Sequence, residues 1–336
     1  MKKYIGITLG DPSGIGPEIV MKTLLYHEDI YEKCKPIVFG NSEILSKYID
    51  QNNINAEIIE IEQINASVEP GKNKIYCYDK EKIKEIPPAG EINAEAGRLA
   101  LQAIENAIMS AMKGEISAIT TAPINKEALK KAQIPFLDQT EIFTKKTNSK
   151  NTMSLFITGD LRIFFLTRHL RFSEISSALR IDNIVLNLKN SSKYLEKLGI
   201  RKPKIALAAL NPHAGEGGMF GDEEIGVLTP AVNLAKNQGI NVFGPIAADS
   251  VFYLCKEGKY DAVLSLYHDQ GHIAAKTLDF YKTISMTMGL PFLRTSVDHG
   301  TAMDIAGKNK ANEISMVESI KIAAEYAWDI EKYEDS

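Results

Sequence analysis

Short apolar runs alternate along this chain with segments whose apolar residues recur every three or four positions. Tyr4–Leu9 reads as a strand. Pro17 stands where a helix could begin, and Ile19, Val20, Thr23 and Leu24 follow at helical spacing. Ile37–Phe39 reads as a second strand, with a helix from about Ser42. A long helix from Asn93 to Lys113 carries Ala96, Leu99, Ala100, Ala103, Ile104 and Ala107 on one face. Ile116–Thr120 is a β-rich run that ends at TAPINKEAL. The second half repeats the pattern. Lys204–Ala209 leads into NPHAGEGG, Asp222–Asn237 is helical, Ala262–Leu266 leads into YHDQG, Ile284–Met288 is a strand, and Glu313–Trp328 is a closing helix. Such alternation predicts an α/β fold with a largely parallel sheet. Ligands bind beyond the carboxyl ends of the strands in such sheets, and the polar motifs follow Leu9, Thr120, Ala209 and Leu266.

Composition narrows the class. The 336 residues allow two domains on a prior of ~150 residues each. Apolar residues are 44% and charged residues 24%, ordinary for a globular protein that needs neither disulfide nor metal to hold its core. The 39 basic and 43 acidic residues leave a net charge of −4, which argues against a nucleic-acid or anionic-membrane partner. No apolar run reaches the ~18 residues of a membrane span. MKKYIGITLGDPSGIG has too short an apolar stretch for a secretory signal, so a cytoplasmic protein is expected. Cys34, Cys77 and Cys255 lie far apart without a CxxC and read as reduced, buried thiols.

Five of the six histidines fall in the later chain, in LTRHLRF, LNPHAGEGG, YHDQGHIAAK and SVDHGTAMD. His169, His213 and His268 each follow an apolar strand-like run. Two readings stay open from spacing: three imidazoles converging on a divalent ion, or three side chains capping loops. His272, four residues after His268, suits a nearby polar contact better than ligation. GDPSGIGPE has GxxxGxG spacing, neither the dinucleotide GxGxxG nor a Walker loop. Its glycines serve either ligand approach or a tight strand-to-helix turn. Lys126, Lys276 and Arg294 lie near strand ends, where they could meet a phosphate or carboxylate or simply face solvent. Neither a GxSxG elbow nor a Cys nucleophile motif occurs.

The segments GDPSGIGPE (10–18), TAPINKEAL (121–129), LNPHAGEGG (210–218), YHDQG (267–271) and GLPFLRTSVDHGTAMDIAG (289–307) together resemble the 4-hydroxythreonine-4-phosphate dehydrogenase family of pyridoxal-phosphate biosynthesis. The resemblance spans nearly the whole chain. HGTAMDIAGKNKAN also resembles the adenine-binding loop of isocitrate and isopropylmalate dehydrogenases. The implied fold is therefore a three-layer α/β/α architecture of that type, with two domains flanking a cleft. Residues 1–125 with 295–336 would form the nucleotide side, and 126–294 the metal-binding and dimerisation side.

The resemblance implies a cytoplasmic homodimer with shared active sites, NAD as cofactor and a divalent metal (Zn, Mg, Co or Mn). It assigns the metal to His169, His213 and His268, and substrate binding to Gln139, Thr140, Lys276, Ser285 and Arg294. Cofactor binding falls to His299, Gly300, Thr301, Ala302, Asp304 and Asn312, with Asp304 favouring NAD over NADP. Lys276 and Asp269 are the candidate catalytic bases. The implied reaction oxidises 4-phosphohydroxy-L-threonine to a 3-keto acid that decarboxylates to 3-amino-2-oxopropyl phosphate. The chain departs from the family's usual Gly-His-Thr-Glu with Asp138, Gln139, Thr140 and Glu141, and has Ser285 for a usual Asn. GMFGDEE and YHDQGHI look more like a sister group that oxidises D-threonate or D-erythronate 4-phosphate. A non-catalytic metabolite-binding homologue is the alternative from another class.

Overall fold

The computed structural model describes residues 2–65, 67–80 and 83–328. Its strands are β1 (Lys3–Thr8), β2 (Cys34–Phe39), β3 (Glu57–Ile61), β4 (Lys74–Tyr78), β5 (Ala118–Thr121), β6 (Met153–Thr158), β7 (Leu161–Phe165), β8 (Ile205–Ala208), β9 (Val242–Ile246), β10 (Ala262–Ser265), β11 (Ile284–Met288) and β12 (Leu293–Val297). They belong to two compact units, residues 1–152 with 290–336, and residues 153–289.

The first unit orders its strands β3-β4-β2-β1-β5-β12, all parallel. β1 and β5 are buried along nearly their whole length, as expected of strands covered on both faces. Helix Ala94–Met112 packs on β1, β2 and β5 with helix Lys126–Lys131 against it, and helix Ile314–Tyr326 packs on β1, β5 and β12 beside helix Gly16–Tyr26. The small residues Ala96, Ala100, Ala103 and Ala107 on the buried face of the long helix permit close approach to the sheet. Asparagine or aspartate caps several of these helices by accepting free N–H groups: Asn93 from Ala96, Asn125 from Glu127 and Ala128, and Asp138 from Glu141.

The first unit extends past the expected limits at 125 and 295. Leu129, Ile142 and Phe143, from helices Lys126–Lys131 and Gln139–Lys146, share one core with Leu290, Phe292, Ile104 and Phe39. Their apolar burial keeps residues 126–152 and 290–294 in this unit. Residues 329–336, counted in the expected nucleotide-side domain, lie outside the described residues.

The second unit orders its strands β11-β6-β7-β10-β8-β9. β7, β10, β8 and β9 run parallel, whereas β6 is antiparallel to both β7 and β11. The antiparallel part departs from the largely parallel expectation. Gly159, at φ +57°, and Asp160 connect β6 to β7 in a tight hairpin turn. Helices Ile181–Lys197 and Thr229–Asn237 pack together, as do Ala248–Lys256 and His268–Leu278, and both pairs cover the strands. The α/β class and layered arrangement expected from the sequence are thus present.

The turn from β1 into helix Gly16–Tyr26 shows what its glycines do. A Cβ on Gly16 would stand 2.1 Å from the Leu9 carbonyl oxygen. The close approach is between two parts of the same chain, which favours the tight-turn reading of GxxxGxG. Gly16→Ala is expected to destabilise the protein by about 1–3 kcal/mol, since backbone has to move to admit the methyl. Denaturant midpoints of the two proteins at equal m-value test this.

Candidate functional site

Beyond β7, Leu166 and Thr167 continue to pair with the chain leaving β10, through bonds of 2.8 Å to the Ser265 carbonyl and 3.2 Å to that of Leu266. The Thr167 hydroxyl adds a 2.7 Å bond to the Leu266 carbonyl. This keeps the segment carrying His169 beside the one carrying His268, and the two imidazoles stand 5.9 Å apart, centre to centre. His268 opens helix His268–Leu278, and its Nδ1–H donates to Asp269 Oδ1 at 2.7 Å. That bond fixes the tautomer and leaves the Nε2 lone pair for a cation. His272 is buried one turn later, stacked on His268 at 3.8 Å and flanked by Phe156 and Phe165. Its Nδ1–H donates to the His268 carbonyl at 2.9 Å, the polar contact expected of it.

His213 lies on the turn Pro212–Gly218 after β8. Residues 213–217 all have left-handed backbone, with φ between +42° and +81°. His213, Ala214 and Glu216 are not glycine, and each costs about 1–2 kcal/mol in that conformation. Strain of this kind persists only where surrounding contacts over-determine it. Among the described residues of one chain, no three His, Cys, Asp or Glu side chains stand close enough to hold a metal ion. The structure therefore brings His169 and His268 together and leaves His213 on its own turn. Lys276 is half-buried on the helix that His268 opens, with Nζ 5.3 Å from the Phe280 ring, and Ser285 is half-buried on β11 opposite Phe156.

In the first unit, Gln139, Thr140 and Arg294 do meet. Arg294 on β12 is 4% exposed. Its guanidinium donates to Thr121 Oγ1 at 3.0 Å, Thr140 Oγ1 at 3.3 Å and Gln139 Oε1 at 3.3 Å, and lies 4.9 Å over the Phe143 ring. Gln139 Nε2 donates to the Ala122 carbonyl at 2.9 Å, so both ends of that amide are engaged. Gln139 and Thr140 open helix Gln139–Lys146, whose positive end faces the same place. A buried guanidinium, a hydroxyl and a helix N-terminus suit a phosphate or carboxylate. Lys126, the third basic candidate, is exposed.

Residues 299–312 form a turn-rich loop in the same unit. Thr301 is buried against Gly14, its carbonyl accepts the Ile15 N–H at 3.0 Å, and Asn125 Nδ2 reaches its hydroxyl at 3.5 Å. Ala302 has φ +41°, while Gly300, Asp304 and Asn312 are exposed. His299 Nδ1 bonds the Gly300 carbonyl at 3.0 Å, and its Nε2 is buried with no hydrogen-bond partner. A cavity of about 160 Å³ abuts the loop, lined by Pro12, Gly14, Tyr48, Gly307 and Asn309 among others. The loop meets this cavity through Gly307 and Asn309, and the orphaned His299 nitrogen and the exposed Asp304 carboxylate elsewhere on it suit a nucleotide's polar groups.

Sequence reasoning gave Asp11 no role, although it follows the first strand in GDP. It is fully buried; Oδ1 accepts the Ser13 N–H at 2.8 Å, and Oδ2 has no partner. Burial pushes its carboxyl up to about 6. The three cysteines are free and buried; burial raises the Cys34 thiol to about 12 and the Cys255 thiol to about 11, so neither is a ready nucleophile. No helix among the described residues is long and apolar enough to cross a membrane.

The profile of the family described as pyridoxal phosphate biosynthetic protein PdxA matches residues 32–323. The chain belongs to the PdxA family. A protein of Symbiobacterium thermophilum provisionally named D-threonate 4-phosphate dehydrogenase is 44% identical over 333 residues, 97% of each chain. The crystal structure of 4-hydroxythreonine-4-phosphate dehydrogenase from Klebsiella pneumoniae superposes with a TM-score of 0.89 at 39% identity, over 97% of this chain and 100% of that one. One of the same description from Burkholderia phymatum gives 0.86 at 36%, over 97% and 99%. This PdxA-family protein is accordingly a dehydrogenase, an oxidoreductase with the fold of those enzymes.

Asp11 gives this family member a pH signature. Between pH 3.8, the ordinary value, and about 6, the folded chain keeps a proton that the unfolded chain has released. Stability therefore falls as pH rises through that window, by up to about 3 kcal/mol from this group. Asp11→Asn is expected to flatten the curve by that amount and to match or exceed the wild type at pH 7. Urea unfolding of both proteins at pH 4, 5, 6 and 7 is the check.

Proposed function

We propose that this protein oxidises a phosphorylated four-carbon hydroxy acid, D-threonate 4-phosphate or its D-erythronate counterpart, using NAD and a divalent metal. The observation that carries the reading is the buried Arg294, gathered with Thr140 and Gln139 into an anion-binding site. The choice of substrate is supported by the likeness to relatives named for D-threonate 4-phosphate, 43–44% identical over 97% of the chain. Oxidation of 4-phosphohydroxy-L-threonine, the first expectation from the sequence, is the second reading, favoured by the Klebsiella structure at 39% identity.

Each residue has a physical task in this reaction. Arg294 and Thr140 hold the phosphate or carboxylate, and Gln139 keeps the guanidinium oriented. His169, His268 and His213 hold the metal. Neutral imidazoles suit a borderline divalent ion, and the Asp269 bond aims His268 Nε2 at one. Because no three such side chains meet among the described residues of one chain, we assign completion of the set to a second copy, in a homodimer. When bound, the metal supplies Lewis acidity toward the substrate hydroxyl and the ketone that replaces it. Lys276 takes up the hydroxyl proton, while Asp269 serves His268 instead of acting as base. His299, Gly300, Thr301, Ala302, Asp304 and Asn312 would hold NAD, which would supply the hydride acceptor, and the exposed Asp304 carboxylate would disfavour a 2′-phosphate. The oxidised acid carries its ketone β to the carboxylate, so it loses CO₂ as the electron pair passes into the carbonyl.

The test is NADH formation with D-threonate 4-phosphate, D-erythronate 4-phosphate and 4-phosphohydroxy-L-threonine, each with metal and with chelator. The highest metal-dependent kcat/KM is expected for one of the first two. Preference for the third restores the second reading, and binding without turnover of any of them makes the protein a non-catalytic homologue. Arg294→Gln is expected to lower kcat/KM about 10–100-fold, mainly through KM, because a charged hydrogen bond contributes about 1.5–3 kcal/mol. Initial rates against substrate concentration measure it.

A further inference from the structure

Glu224 is 3% exposed, and its bonds run to the base of the turn that carries His213. Oε1 accepts the backbone N–H groups of Leu210 and Asn211, both at 2.8 Å, and Oε2 accepts Asn211 Nδ2 at 2.8 Å. We propose that Glu224 is a positioning residue for His213, acting through Leu210 and Asn211 to fix the imidazole for ion binding. This rests on the reading of His213 as a metal ligand.

Three observations carry it. The first is the relay. Asn211 is two residues before His213, its carbonyl accepts the Ala214 N–H at 3.1 Å, and its side chain is clamped by Glu224 and, at 2.6 Å, by Glu223 Oε2. Glu223 is itself held by the Ser176 hydroxyl at 2.7 Å, and bonds from Ser176 and Asn211 keep its carboxyl below the usual carboxylate range. The second is room. A Cβ on Gly215 would stand 2.9 Å from Glu224 Oε2, so the turn is shaped around this carboxylate. The third is delivery. Glu224 begins a wide turn of π-helix, Glu224–Leu228, a local form that re-aims side chains and recurs at functional sites. Together these contacts over-determine five residues of left-handed backbone at a metal-ligand position.

A carboxylate that only satisfied buried amides would stabilise the fold and leave the ion's affinity alone. The test therefore reads affinity for Mn²⁺ or Zn²⁺, by chelator competition on the full chain, beside thermal unfolding. E224A is expected to weaken binding about 10–100-fold, the usual effect of losing a group that orients a ligand. E224Q keeps an oxygen for the two backbone N–H groups and is expected to recover most of the loss. N211A, which breaks the relay and leaves the carboxylate, is expected to lose about 10-fold. It carries the test with E224Q if E224A does not fold. Wild-type affinity in E224A or N211A, or an E224Q no better than E224A, overturns the positioning role. H213A separates the two claims. Loss of binding there with an intact E224A refutes the positioning role alone, whereas wild-type affinity in H213A refutes the ligand reading and this inference with it.

Discussion

One glutamine side chain ties together the two strands that lead to His213 and His268 in the second unit. Just past the ends of β8 and β10, the Ala209 carbonyl and the Leu266 N–H need partners, and left alone in a protein interior each would be costly. Gln270 takes up both ends. Its Nε2 donates to the Ala209 carbonyl at 2.7 Å, and its Oε1 accepts the Leu266 N–H at 2.8 Å and the Ser265 hydroxyl at 3.0 Å. Ala209 leads within four residues to His213, and Leu266 within two to His268. The spacing of the strand ends, and with it the launching points of two candidate ligands, depends on this amide. Asp269 and His272 then refine one imidazole, as Glu224 and Asn211 refine the other's turn.

Much of this was legible in the sequence because parallel strands announce themselves. Apolar and β-branched residues fill most of the short parallel strands β1, β2, β5, β8 and β10, and each of these is a strand in the fold. β3 was missed because glutamates stand at exposed positions along it at the sheet edge, and β4 because its apolar stretch is only four residues long. β6 was missed, and β7 was read only as the strand-like run before His169, although MSLFITGDLRIFF holds a hairpin signal, two β-rich runs around Gly-Asp. Their antiparallel pairing made the second unit a mixed sheet. Domain limits were the least legible part. Whether helix Gln139–Lys146 belongs with what precedes or follows it depends on which core takes Ile142 and Phe143, and that is a long-range property.

For the candidate site, the ligand-type residues stood out by chemistry, whereas the residues that hold them did not. Gln139, Thr140 and Arg294 lie over 150 positions apart in part, yet their meeting followed from resemblance. Glu224, Gln270 and Asp11 carried only weak signals: an acidic pair after GMFGD, the Gln of YHDQG, and an Asp after the first strand. Each acts through backbone amides or burial, and such roles are invisible until the chain is folded. A buried Glu reads in sequence like any solvated one.

Gln139 shows how a departure from the family pattern can be physically coherent. An imidazole at this position would change charge between pH 5 and 8, and an anion site containing it would bind differently across that range. The amide has no such transition. It gives Arg294 an acceptor at 3.3 Å and anchors itself on the Ala122 carbonyl at 2.9 Å, so its orientation is set from both ends. A flipped amide would set its NH₂ against the guanidinium and its oxygen against a carbonyl, losing both bonds. On the proposed reading of Arg294 as the anion-binding cation, the amide therefore orients the guanidinium without bringing a titrating group of its own to that place.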